Sequence, residues 1–281
     1  MRRRERGGFK FLTSKGFEES LLTQLTNFES KFGKDEFFYT HWLDVVLYGT
    51  MYFGEKIRLD FIDQFEKLRK KHNHKHIHIV SHSLGTAVAH DALAKFYRIE
   101  SDPFDDIPDL KAGDFNIGSL WTFANVSRMV NILNDLTDPY SSTVVTGNEG
   151  CTNRLLNVRH KYDPFTWFKT YDRNMTPKET LRLTTIRNPD THDFYEYVTE
   201  PRASRAILNI VYAKSVSDAQ FEKGQTEYKK GALTSDVKEL RDLVNGARES
   251  TSIDSIKKAV NKFKQIRTKI EKLEKKIAPQ P

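Results

Sequence analysis

The stretch HIHIVSHSLGTAVAHDALAKFY, from His76 to Tyr97, sets the strongest limit on what this chain can fold into. A short β-branched run, HIHIVSH, passes without a polar loop into an Ala-rich segment. The run has the character of a buried strand, and the segment has the length and spacing of a helix. Ala87, Val88, Ala92, Leu93 and Phe96 are available for burial on that helix. The backbone must therefore reverse sharply at the junction, which falls on Ser83.

The same alternation continues along the chain. EFFYTHW, NIGSLWTF, NRLLNVRH and TLRLTTIR read as further strands. EKIRLDFIDQFEKLRKK reads as a helix with Ile57, Phe61, Phe65 and Leu68 on one face, and a stretch from Gly16 to Gly33 has similar spacing. SRMVNILNDL, HDFYEYV and RASRAILNIVYA are further helical segments. Strands alternating with helices predict an α/β fold with a mainly parallel sheet covered on both faces. The polar loop from Thr137 to Thr152 has the length of a functional or mobile loop.

Composition divides the rest. The α/β pattern spans residues 1–213, and the polar residues 214–233 read as a linker. Residues 234–281 read as a basic helical extension, a hairpin or a coiled coil. Ile256, Phe263, Ile270 and Ile277 with Ala259, Ile266 and Leu273 give about three heptads, enough to pair with the preceding helix or with a second copy. The net charge of +7 is concentrated at the two ends, and the body between them is close to neutral. Basic ends suit an acidic membrane surface or a protein partner, or simply a solvated helix face; nucleic acid is the less expected ligand. Cys151 is the single cysteine, so internal disulfides and Cys-rich zinc sites are excluded. A lone thiol, no long apolar run and no apolar segment after the basic start predict a cytoplasmic protein.

Six of the nine histidines lie between His72 and His90. His72, His74, His76 and His78 are spaced by two, which on a strand would put them on one face as metal ligands. Three of them precede the apolar part of the strand, however, and Lys70, Lys71 and Lys75 lie among them with no carboxylate cluster. The expectation is no metal and no cofactor, and no dinucleotide or phosphate-cradling glycine motif is present.

The serine is the more specific signal. Ser81-His82-Ser83-Leu84-Gly85 between strand and helix fits the small-x-Ser-x-Gly nucleophile elbow, with Ser81 where glycine is usual and Gly85 as the second small residue. The Leu84 N–H, at the helix N-terminus, is the candidate oxyanion donor. HIVSHSLGTAVAHDAL resembles the nucleophile segment of the α/β-hydrolase superfamily, in particular its lipase- and esterase-like serine hydrolases. The resemblance covers about residues 36 to 212 and implies the chain order serine, acid, histidine. Asp163 of Lys161-Tyr162-Asp163-Pro164 then matches the acid after NRLLNVRH, and His192 matches the base after TLRLTTIR. The resemblance implies hydrolysis of a carboxylic ester, a small molecule or a lipid, through an acyl-enzyme.

Each residue also has a plain alternative: a tight turn with an inert serine, a turn-forming Asp-Pro, a histidine at a helix start. Asp138 and Asp172 are rival acids, and His160 is a rival base. Family members begin with strands ahead of the EFFYTHW position, one of which ends in a glycine loop that supplies a second oxyanion donor. Here no such strand precedes the first helix, and Gly7 and Gly8 are the only candidates for that loop, so the fold is expected to be abbreviated at its N-terminus. The competing expectation is a catalytically silent hydrolase-like module whose basic tail binds a partner or an acidic membrane.

Overall fold

In a computed structural model, residues 44, 48, 51–97, 116–128, 130, 142, 144–147, 150–166, 170–173, 179–187, 190–230, 232, 265 and 268 are described. The helix expected from Gly16 to Gly33, the EFFYTHW strand and Gly7 and Gly8 fall outside them. So does the basic extension, apart from residues 265 and 268, which are helical and exposed. The chain divides into two compact units, Met1–Asp60 and Phe61–Pro281. In the first, the Arg58 guanidinium lies over the buried Tyr48 ring and donates to Glu55.

The elements in order are α1 (Met51–Lys71), β1 (His78–His82), α2 (Leu84–Phe96), β2 (Ser119–Phe123), β3 (Leu155–His160), β4 (Glu179–Leu183), α3 (Phe194–Val198), α4 (Pro201–Ile210) and α5 (Asp218–Lys230). Among the described residues four strands form one all-parallel sheet in the order β1-β2-β3-β4. The protein is thus of α/β type. Among the described residues no helix is long and apolar enough to cross a membrane.

Register and the two-residue period of a strand sort the side chains into two faces. Ile79, Leu120 and Leu155 are aligned on one face, where they join Ile62, Phe65, Ala92, Leu93 and Phe96 of α1 and α2. Trp121, Phe123, Leu156, Val158 and Leu183 point to the other face, where they meet Tyr197 of α3 and Ala203 of α4. Helices pack on both faces, and the central strands β2 and β3 and helix α2 are rich in buried residues, whereas the outer strands β1 and β4 are less covered. Fully burying each such aliphatic or aromatic side chain contributes about 1.5–3 kcal/mol.

Three expectations are corrected. On α1, Phe65 is buried as expected, but Ile62 is buried in place of Ile57 and Leu68, which are 40% and 46% exposed. The helix is turned so that Phe61, Ile62 and Phe65 meet the core. The TLRLTTIR strand ends at Leu183, because β3 runs out at His160 and leaves the later residues without a ladder. The third is the 214–233 linker, most of which is α5. Its polar surface conceals one buried anchor, Tyr228, under the Arg187 guanidinium at 4.5 Å from the ring centroid. Arg205 of α4 adds a contact over the Phe221 ring and an ion pair with Asp218. α3 and α4 are separate helices, divided where Glu200 caps α4 by accepting from the Arg202 and Ala203 N–H groups ahead of Pro201 at its start.

Candidate active site

Ser83 occupies the junction between β1 and α2 with φ 53° and ψ −127°, a conformation that L-residues rarely adopt. Such strain costs of order 1–3 kcal/mol and persists only where the surroundings over-determine it. Here they do. The Ser83 N–H donates to the Phe123 carbonyl at the end of β2 (3.0 Å). The Ser83 carbonyl accepts from the Thr86 N–H (2.9 Å) and the Thr86 hydroxyl (2.6 Å). Buried Thr86 also accepts from the Val126 N–H, so one side chain ties the turn, the helix and the segment after β2.

A serine at a helix N-cap normally accepts from a helix N–H. Ser83 makes no side-chain cap bond. Its Oγ lies instead 2.7 Å from His192 Nε2. His192 Nδ1 lies 2.8 Å from Asp163 Oδ2. A carboxylate only accepts, so Nδ1 carries the proton, Nε2 is left as the acceptor, and the serine hydroxyl donates to it. The structure therefore brings together Ser83, His192 and Asp163, which lie after β1, after β4 and after β3. Leu84, the first residue of α2, has one of the N–H groups that a helix leaves without an intrahelical acceptor.

The acid and the base are held from several sides. Asp163 is fully buried, and Oδ1 accepts from the Phe165 N–H at 2.9 Å. Burial pushes its carboxyl up, but the His192 imidazole and the hydrogen bonds from His192, Tyr197 and Phe165 outweigh it and hold the group below its ordinary value. Around His192, Thr191 donates to the Tyr162 carbonyl, and Asp190 accepts from the His192 N–H. The Phe165 ring packs on the imidazole with centroids 4.3 Å apart. His82, next to the serine in sequence, donates from Nε2 to the His192 carbonyl at 2.8 Å. Burial, with His192 as the second cause, lowers the His82 pKa to about 4.

The rivals are placed otherwise. His160 donates from Nε2 to the Thr185 carbonyl and accepts at Nδ1 from the Tyr162 N–H, so both nitrogens are committed to backbone. Asp172 lies 3.6 Å from Arg159, and Asp138 is outside the described residues. Cys151 is fully buried and its thiol is pushed up to about 12, chiefly by burial, which leaves it unreactive. Of the spaced histidines, His72 and His76 are exposed and His74–His76 is a 3-10 turn, so only His78 stands on the strand. Among the described residues no group of three or more His, Cys, Asp or Glu is placed to hold a metal ion.

A second Ser-His-Asp set is buried as a whole, its serine included. His90 Nε2 is 2.7 Å from Ser142 Oγ, and His90 Nδ1 is 3.0 Å from Asp91. All three are buried, and the Ser142 Oγ also accepts from the Val144 N–H. A nucleophile without access to a substrate carbonyl attacks nothing, so this set serves as a tie between α2 and the segment before β3. Two further surprises concern the elbow. Ser81 tolerates its Cβ and donates to the Trp121 carbonyl at 2.8 Å. A Cβ built on Gly85 meets nothing within 4 Å among the described residues, so packing there does not demand the small residue expected from the motif.

Thr86, Tyr197 and the role of His82 were missed by sequence reasoning, since each acts on a residue distant in the chain. No protein-family model, no curated protein and no solved structure matches this chain.

Proposed function

We propose that the chain is a serine hydrolase of the α/β-hydrolase type, acting on a carboxylic ester of a small molecule or a lipid. The observation that carries the reading is the unbroken hydrogen-bond chain from Ser83 through His192 to buried Asp163, with the serine on a strained strand-to-helix turn. In the reaction, the Ser83 oxygen attacks the ester carbonyl carbon as its proton passes to His192 Nε2. Asp163 stabilises the imidazolium through Nδ1–H. The Leu84 N–H donates to the oxyanion of the tetrahedral intermediate. The intermediate collapses with loss of the alcohol, which takes the proton from Nε2, and leaves the acyl group on Ser83. Water then attacks with His192 again as base, releasing the acid and restoring the hydroxyl.

A fluorophosphonate probe tests this reading. The folded protein is expected to be labelled at Ser83, and Ser83→Ala to lose the label. His192→Ala is expected to slow labelling by at least about a thousandfold. Absence of label on folded wild-type protein would overturn the reading and favour a catalytically silent module that binds through its basic tail.

A further inference from the structure

Proton transfer between Ser83 and His192 does not by itself require Tyr197, yet Tyr197 is built into the acid. The residue lies on α3, is wholly buried, and packs edge-on to Phe123, His82 and His160 with ring centroids 6.2, 5.9 and 6.2 Å away. Its hydroxyl donates to Asp163 Oδ2, the same oxygen that accepts the His192 Nδ1–H. We propose that Tyr197 is a positioning residue that sets the basicity of His192 by drawing charge from the carboxylate oxygen they share. The inference rests on the serine-hydrolase reading and says how its base is tuned.

A carboxylate oxygen that accepts two donors divides its charge between them. A hydrogen bond to an ionised group is worth about 1.5–3 kcal/mol, and in a water-free setting nothing replaces it when it is lost. The phenol competes with Nδ1–H for the same lone-pair density, so the imidazolium gains less from Asp163 than it would from an unshared carboxylate. Burial first, and Asp163 second, raise the Tyr197 pKa well above its ordinary value, so the phenol remains a donor throughout the working range. The other titratable groups around the pair are His82 from β1, His160 at the end of β3, and Asp190 and Asp193 from the segment before α3. None of them bonds to Asp163 Oδ2 among the described hydrogen bonds, which leaves Tyr197 as the group that acts on the shared oxygen.

The test is the pH dependence of Ser83 phosphonylation by a fluorophosphonate, which requires unprotonated His192. In Tyr197→Phe the carboxylate acts on the imidazole undiluted, the imidazolium is stabilised, and the acidic limb should move to higher pH by about half a unit to one unit. Incorporating 3,5-difluorotyrosine at position 197 keeps the ring and strengthens the donor, so the limb should move to lower pH. Opposite displacements by the two variants support the proposal. A limb that stays put in both while the plateau rate falls would mean that Tyr197 only fills space, and would overturn it. Should wild-type protein take no label at any pH, the hydrolase reading fails by itself. The downfield His192 Nδ1–H proton resonance then supplies the titration, and coincident wild-type and Tyr197→Phe curves would overturn the proposal.

Discussion

At the scale of single residues, the candidate site concentrates its tension in one backbone torsion. Ser83 holds φ 53° against the preference of any side chain with a Cβ. Replacing it by glycine removes the strain as well as the hydroxyl, whereas alanine removes only the hydroxyl. Ser83→Gly is therefore expected to be more stable than Ser83→Ala by about 1 kcal/mol, with both inactive toward the probe. Paired urea denaturation curves check this, and equal midpoints would show that the turn carries no strain. The three side chains of the relay were legible in the sequence because each stands just beyond a readable strand. Thr86, Tyr197 and the hydrogen bond from His82 were not, since each bonds to a residue distant in the chain, up to 110 positions away, and no local pattern carries that information.

Among the elements, two glycines make a contrast that sequence does not announce. Gly118 leads into β2 so close to the Lys75 carbonyl that a Cβ there would collide with backbone, while Gly85 in α2 faces open space. Gly118→Ala is expected to destabilise the protein by about 1–3 kcal/mol. Gly85→Ala is expected to leave it as stable as before or up to about 1 kcal/mol more stable, since alanine is the better helix former. Thermal melts of the two variants decide the matter; a large loss in Gly85→Ala would contradict the open surroundings. The central strands β2 and β3 were readable because burial on both faces leaves short apolar runs bounded by polar residues. α5 was not, because a helix that rests on the surface through Tyr228 and Phe221 shows a polar composition like that of a linker.

For the whole molecule, buried histidines contribute to the response to acid. The folded His82 pKa is depressed from 6.5 to about 4, and burial lowers that of His160 as well. Below about pH 6.5 the unfolded chain therefore binds protons that the folded one refuses, so stability falls as pH drops toward about 4 and flattens beneath it for His82. Allowing for partial exposure, His82 accounts for about 1–3 kcal/mol of that loss. His82→Gln keeps a donor for the His192 carbonyl but cannot titrate, so its stability should decline less steeply between pH 6.5 and 4. Denaturant midpoints across that range measure the slope, and identical slopes would remove His82 as a cause. Below that window the depressed Asp163 acts in the same sense, its contribution lost as pH falls through its folded value.

The plain left-to-right order of the four strands carries a consequence for how the protein comes into being. Each described strand finds its neighbour already synthesised, so this part of the sheet can lengthen edge by edge as the polypeptide leaves the ribosome. Pairing of sequence neighbours keeps each loop closure shorter than an interleaved order would, although parallel pairings such as His78 with Ser119 still join distant residues and form slowly. Because His192 follows β4, the last of the described strands, a nascent chain can close the hydrogen-bond relay from Ser83 to Asp163 only once those strands have all been made.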